Sequence, residues 1–147
     1  MATTDENSKM RIGEVAEQAG TTPRTIRYYE ELGLLGDGEE REHGKHRCYT
    51  ESDVERVREL VMLKDLLGLS LEQLAEVVEN VSARALIRTE YHKTEDPGRR
   101  RDLLEAAVPH LRRQLELVQE RRDALTNLEQ EITERLNKIL GRLADLS

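Results

Sequence analysis

The most chemically suggestive stretch runs from Pro23 to Leu32. On a helix, Ile26, Tyr29 and Leu32 repeat on one side, while Arg24, Arg27, Tyr28 and Glu31 share the other. Cationic and hydroxyl donors on the outer face of a short helix suit the acceptors of a nucleic acid, its phosphate oxygens and base edges. Arg24 is assigned to the major-groove floor or a phosphate, and Arg27 and Tyr28 to phosphates. Thr25, near the helix start, can touch a base or a thymine methyl. Tyr29 belongs to the core. The plain alternative for these arginines is a solvated helix surface.

A second cluster follows. Arg41, Lys45, His46 and Arg47 gather positive charge in a segment otherwise rich in acid. A basic loop along a groove neutralises phosphates, releases counterions and can sense minor-groove width. A merely solvated loop is the alternative. Arg56, near the start of a later helix, is a further phosphate candidate. His43, His46 and Cys48 are metal ligands by type, but a structural or DNA-facing role fits their loop position better, and no metal or other cofactor is expected. Cys48 reads as a small apolar residue at the loop's root. No catalytic constellation stands out. His92 and His110 have no nucleophile or carboxylate partner at a motif spacing, and there is no glycine-rich phosphate loop. An enzyme is not expected.

The totals narrow the field. The 147 residues carry 23 Lys and Arg against 30 Asp and Glu, a net charge of −7. The first seventy residues hold ten basic and fifteen acidic side chains. Unselective polyanion binding is therefore disfavoured, and a DNA reading must rest on local clustering. With no Trp, no Phe and four Tyr, an aromatic ligand cage is improbable. No apolar run reaches the ~20 residues of a membrane span, and the polar start lacks the features of a secretion signal. One cysteine allows no internal disulfide. The cytoplasm is the expected compartment.

Several elements position these residues. Residues 1–9 read as a disordered tail. Ile12, Val15, Ala16 and Ala19 mark a helix that Gly20 stops. Thr22 and Pro23 then supply a cap and a first helical residue, and Gly33 a stop. Two short helices around a tight turn make a helix-turn-helix. Residues 34–49 read as a small β-hairpin wing rooted on Leu34-Leu35 and Cys48-Tyr49. Thr50-Glu51-Ser52-Asp53 has the shape of a capping box before a helix to about Leu67. Ser70-Leu71-Glu72-Gln73 opens another to about Glu79. A short helix near Ala83–Tyr91 and a turn at Asp96-Pro97-Gly98 follow. Arg84, Arg88, Tyr91 and His92 are expected either to form a small pocket against the last helix or to belong to a packed linker.

The stretch from Ile12 through Arg27-Tyr28-Tyr29-Glu30 to Leu35 resembles the opening of MerR-family transcription regulators. The likeness continues through Arg41, Gly44, Arg47, Tyr49, Asp53, Arg56 and Gly68-Leu69-Ser70-Leu71-Glu72-Gln73, covering about residues 11–79. It implies a winged head, a coiled-coil homodimer and an operator within a promoter, with RNA polymerase as a further candidate partner. Members of the family often distort DNA to realign promoter elements spaced too far apart. This chain departs at Gly36-Asp37-Gly38-Glu39-Glu40, where a proline is usual, and at Gly44-Lys45-His46-Arg47, where Gly-Tyr-Arg is common. No sizeable domain follows the coil, where many relatives bind an inducer. Metal-sensing relatives keep cysteines at the far end of the dimer helix, where this chain has none.

From about Arg99 the pattern becomes a sustained heptad: Leu104, Val108, Leu111, Leu115, Val118, Arg122, Leu125, Glu129, Ile132, Leu136, Ile139, Leu143 and Leu146. Pro109 is a candidate kink, or marks where the coil itself begins. Arg122 and Glu129 would each meet their own symmetry mate in a parallel dimer. An antiparallel coil centred near Leu125 brings them within a layer of each other, so the charges favour that arrangement. A helical hairpin using Leu117, Leu128 and Leu140 is the alternative. The expected fold is mainly α. Residues 10–79 form a winged head, 80–98 a linker with a short helix, and 99–147 a dimerising coiled-coil helix. The expected function is sequence-specific transcription regulation, beside an architectural DNA-bending protein or a coiled-coil interaction protein with a degenerate head. A small-molecule effector stays unassigned.

Overall fold

The computed structural model of the chain describes residues 10–34 and 48–147. The expected tail and the wing between Leu34 and Cys48 lie outside these residues. Among the described residues are five helices: α1 (Ile12–Ala19), α2 (Pro23–Glu31), α3 (Glu51–Leu67), α4 (Leu71–Lys93) and α5 (Pro97–Asp145). The chain is mainly helical. None of these helices is long and apolar enough to cross a membrane.

Local chemistry sets most of the boundaries. Gly20 ends α1 in the left-handed region at φ 75°, donating its N–H to the carbonyls of Ala16 and Glu17. Thr22 caps α2 by accepting the Thr25 N–H, and Pro23 takes the first turn, where no donor is needed. After α2 the chain turns on Gly33 at φ 98°. The Gly33 and Leu34 N–H groups donate to Glu30 and Tyr29, closing the last orphan carbonyls. At α3 the aspartate does serve in the capping box. Thr50 Oγ1 accepts the Asp53 N–H at 3.2 Å, and Asp53 Oδ2 accepts the Thr50 N–H at 2.9 Å. Ser70 and Gln73 make the equivalent pair at α4.

One expectation about α4 needs correction. The chain does not break after Glu79; α4 continues unbroken to Lys93. No Gly or Pro interrupts this stretch, and Val77, Val78 and Val81 are buried. Burial on one continuous face outweighs the modest helix propensity of these β-branched residues. Thr94, in an extended conformation, ends α4, and Pro97 opens α5. That helix runs through Pro109. Pro109 is exposed, so water can reach the carbonyl one turn back that lacks its N–H partner.

The core of the head joins Val15, Ala16 and Ala19 of α1, Ile26 and Tyr29 of α2, Val54, Val57 and Leu60 of α3, and Val77, Val78 and Val81 of α4. Met10 and Tyr49 form an antiparallel bridge, with N–H to carbonyl distances of 2.9 and 2.8 Å. Met10, Leu34 and Tyr49 are all buried, whereas Cys48 is exposed. That corrects the apolar-root reading of Cys48. Side chains alternate along an extended strand, so an inward Tyr49 turns Cys48 outward.

The chain divides into two units, residues 1–112 and 113–147. In the first, the beginning of α5 is tied to α4. His110 Nδ1 lies 2.8 Å from Asn80 Oδ1, and Arg99 donates to Glu90 at 2.7 Å. Leu103, on the His110 side of α5, is buried, while Leu104, Val108 and Leu111 on the adjoining stripe are exposed. The second unit is helix as far as Asp145. From Val118 onward its residues are exposed, including Leu125, Ile132, Leu136 and Ile139.

Candidate nucleic-acid interface

The head is built so that α2 shows one face to the core and one to solvent. Ile26 and Tyr29 are fully buried. Their burial orients the helix, and the 3.6-residue period then leaves Arg24, Arg27, Tyr28 and Glu31 on the exposed side. Tyr28 keeps 38% of its surface open although its ring lies 6.1 Å from that of Tyr29. Thr25 is half-buried. Its hydroxyl accepts a hydrogen bond from the Thr22 hydroxyl at 3.0 Å, which leaves its own proton free to donate.

Burial, with lesser contributions from Asp65 and Tyr28, raises the pKa of the Tyr29 phenol above 10.0. Tyr29 therefore stays neutral and internal. Glu30, half-buried on the last turn of α2, accepts the Tyr49 hydroxyl at 3.2 Å. That bond ties the wing root to the helix carrying the exposed cations.

Arg56, the phosphate candidate on α3, is half-buried. Its guanidinium donates to Asp53 Oδ1 at 2.8 Å, and only 22% of its side chain is exposed. Asp53 thus serves the helix cap with one oxygen and Arg56 with the other. Arg41, Lys45, His46 and Arg47 lie outside the described residues, as does His43. Among the described residues no group of three metal-ligating side chains converges.

Arg84 and Arg88 do not face the last helix. Arg84 forms an ion pair with Glu59, and Arg88 lies 3.9 Å from Glu55, both on α3. Both pairs line a groove between α3 and α4, together with Ser52 and Arg56. Tyr91 instead stacks under Arg100, whose guanidinium carbon sits 4.7 Å from the ring centre, and meets His92 edge-on. The structure brings Arg24, Arg27 and Tyr28 together on one surface, and it pairs Arg56 and Arg84 with half-buried or buried carboxylates while Arg88 meets Glu55 in an exposed pair. Sequence reading passed over Ser82, on α4, whose hydroxyl reaches the Gly33 and Leu34 carbonyls at 3.1 and 2.8 Å. A mid-helix serine carries no local signal of such a distant partner. Arg58, also passed over, donates to the Gln18 carbonyl at the end of α1.

Two short helices with a glycine turn, a third helix behind them and an extended root after the second make a helix-turn-helix head. Residues 10–81 match the model of the MerR HTH family of regulatory proteins. The chain is 37% identical to the HTH-type transcriptional regulator YfmP of Bacillus subtilis over 112 residues, 76% of this chain and 79% of that protein. It is 44% identical to the HTH-type transcriptional regulator ZntR of Escherichia coli over 68 residues, covering 46% of this chain and 47% of that protein. A solved structure of HiNmlR, a MerR family regulator lacking the sensor domain and bound to promoter DNA, aligns over 80% of this chain and 85% of that one. Its identity is 23% and its TM-score 0.41. The chain belongs to the MerR family, whose members are transcription regulators and not enzymes.

Proposed function

We propose that this protein is a sequence-specific DNA-binding transcription regulator that acts as a homodimer and distorts the operator between its two half-sites. The observation that carries this reading is the exposed side of α2. There Arg24, Arg27 and Tyr28 stand together on a helix whose opposite face is locked into the core by Ile26 and Tyr29. Rigid presentation is what a major-groove helix needs, because base edges reward donors only in a fixed geometry. Arg24 and Thr25 serve the base edges, and Arg27 and Tyr28 the phosphates. Arg41, Lys45, His46 and Arg47 extend the basic surface along the neighbouring groove. Arg56 acts from its Asp53 pair, so its contact with DNA is secondary.

Support for the dimer comes from α5. Its heptad positions Leu111, Leu115, Val118, Leu125, Ile132, Leu136 and Ile139 each leave 41–55% of their surface exposed in one chain. A continuous apolar stripe of that length marks an interaction surface. Arg122 and Glu129 in the same stripe favour an antiparallel coil, where each can approach the other instead of its own copy. Two heads on one stiff coil fix the spacing of the half-sites. DNA that deforms to meet them does so at a sequence-dependent energy, which adds selectivity.

The test is a titration of the purified protein against duplexes it enriches from a random-sequence pool, at two salt concentrations. The Arg27→Ala, Tyr28→Ala double variant runs alongside. Tight wild-type binding that survives competitor DNA, and about a hundredfold weaker binding by the variant with a shallower salt slope, supports the reading. Failure to enrich any sequence overturns it. For the coil, efficient disulfide self-pairing of an Arg122→Cys variant in intact dimers rules out the antiparallel arrangement.

A further inference from the structure

A serine in the middle of a helix usually returns its hydroxyl to the carbonyl one turn back or leaves it in water. Ser82 does neither. Its hydroxyl lies 2.8 Å from the Leu34 carbonyl and 3.1 Å from the Gly33 carbonyl, partners 48 and 49 residues away in the sequence. Those carbonyls stand just past the end of α2, where Gly33 turns the chain at φ 98° toward the wing segment. These two carbonyls lie in the turn after α2, outside any helical ladder, and α4 provides their donor. The last turn of α2 is thus held from two directions, by Tyr49 through Glu30 and by α4 through Ser82.

The same stretch of α4 also holds α5. Asn80, two residues before Ser82, meets His110, and Glu90 accepts from Arg99. Residues two apart on a helix point to different sides. Within a few residues, α4 therefore grips the end of α2 with one side and the beginning of α5 with another.

We infer that Ser82 is a positioning residue: its hydroxyl sets the angle at which α2 is presented relative to α4, and through α4 relative to the beginning of α5. This inference rests on the DNA reading proposed above. Its consequence is selective. Base-edge contacts by Arg24 and Thr25 depend on the angle of α2. Phosphate attraction depends mainly on charge, which loss of a hydroxyl does not change. Removing the Ser82 hydroxyl should therefore weaken specific binding while leaving non-specific binding intact.

The experiment compares wild type, Ser82→Ala and Ser82→Thr as full chains. Each is titrated against a duplex enriched by the wild-type protein from a random pool and against an unrelated duplex of equal length, at two salt concentrations. Thermal unfolding is followed in parallel. The expected result for Ser82→Ala is a drop of about fivefold in the ratio of specific to non-specific affinity, the effect of one net hydrogen bond. Non-specific affinity and its salt slope should not move, and Ser82→Thr, which keeps the hydroxyl, should restore the ratio. Equal losses on both duplexes with a lowered melting temperature would show a merely structural role and overturn the inference. An unchanged ratio would also overturn it. If the wild type enriches no duplex, the DNA reading itself falls, and that is seen before any variant is compared.

Discussion

Replacing Ile132 by aspartate probes the dimer at a single position. In one chain Ile132 keeps 51% of its surface exposed, so about half of its apolar area is left to bury on association. Full burial of an isoleucine side chain contributes about 1.5–3 kcal/mol, so the exposed half contributes roughly 1 kcal/mol. The aspartate forfeits this and leaves a carboxylate in the seam. In the antiparallel register proposed above, position 132 would pack within a layer of an apolar residue, Val118 of the partner subunit. Burying a polar group without a partner adds about 1–3 kcal/mol. Two symmetric sites bring the loss to roughly 4–8 kcal/mol, a rise in Kd of about a thousandfold or more. Sedimentation equilibrium across a concentration series measures it directly. Glu134→Gln, on the outer side of α5, serves as the control and should leave the dimer unchanged. An Ile132→Asp protein that remains dimeric at wild-type concentrations would refute the assignment of this stripe as the interface.

Two further outcomes follow from the head. Asp53 is buried and bonds both the Thr50 N–H and Arg56. Asp53→Ala should therefore lower stability by about 2–4 kcal/mol, from roughly 1 for the cap and the remainder for the charged bond. It should appear as a lower urea midpoint at an unchanged slope. The Tyr29 phenol is raised above its ordinary 10.0 by burial. A raised folded-state pKa makes its contribution to stability complete below pH 10.0 and lost as pH climbs toward the folded value. Alkaline denaturation of the wild type should begin above pH 10.0, and Tyr29→Phe should show a weaker decline there. An equal decline in both proteins would point to other groups.

Some features of this chain are decided within a few residues. A capping hydroxyl, a glycine stop or a first-turn proline acts on the adjacent backbone, so Gly20, Thr22-Pro23, Thr50 with Asp53, and Ser70 with Gln73 announce their helix ends directly. Periodicity is equally local. The spacing of Ile26 and Tyr29 is enough to say which side of α2 faces inward, and hence that Arg24, Arg27 and Tyr28 face out. The heptad from Leu104 to Leu146 is likewise readable as an apolar stripe, and the structure leaves that stripe exposed on a single chain. Pro109 stands inside α5, and the division of the chain into two units falls just after it, at Arg112.

Other features depend on partners distant in the chain. The step from Asn80 to Ser82 joins asparagine, valine and serine, which favour a helix only weakly, ahead of the stronger helix formers from Ala83 onward. Burial of Val77, Val78 and Val81, together with the reach of Ser82 to Gly33 and Leu34, makes α4 one continuous element. Cationic side chains show the same division. Arg27 and Arg56 look alike as candidates, yet one stands in solvent and the other lies on Asp53. Arg84 and Arg88 turn to Glu59 and Glu55. A long charged side chain goes to the nearest carboxylate with good geometry, and only the packing of α3 against α4 decides which carboxylate that is.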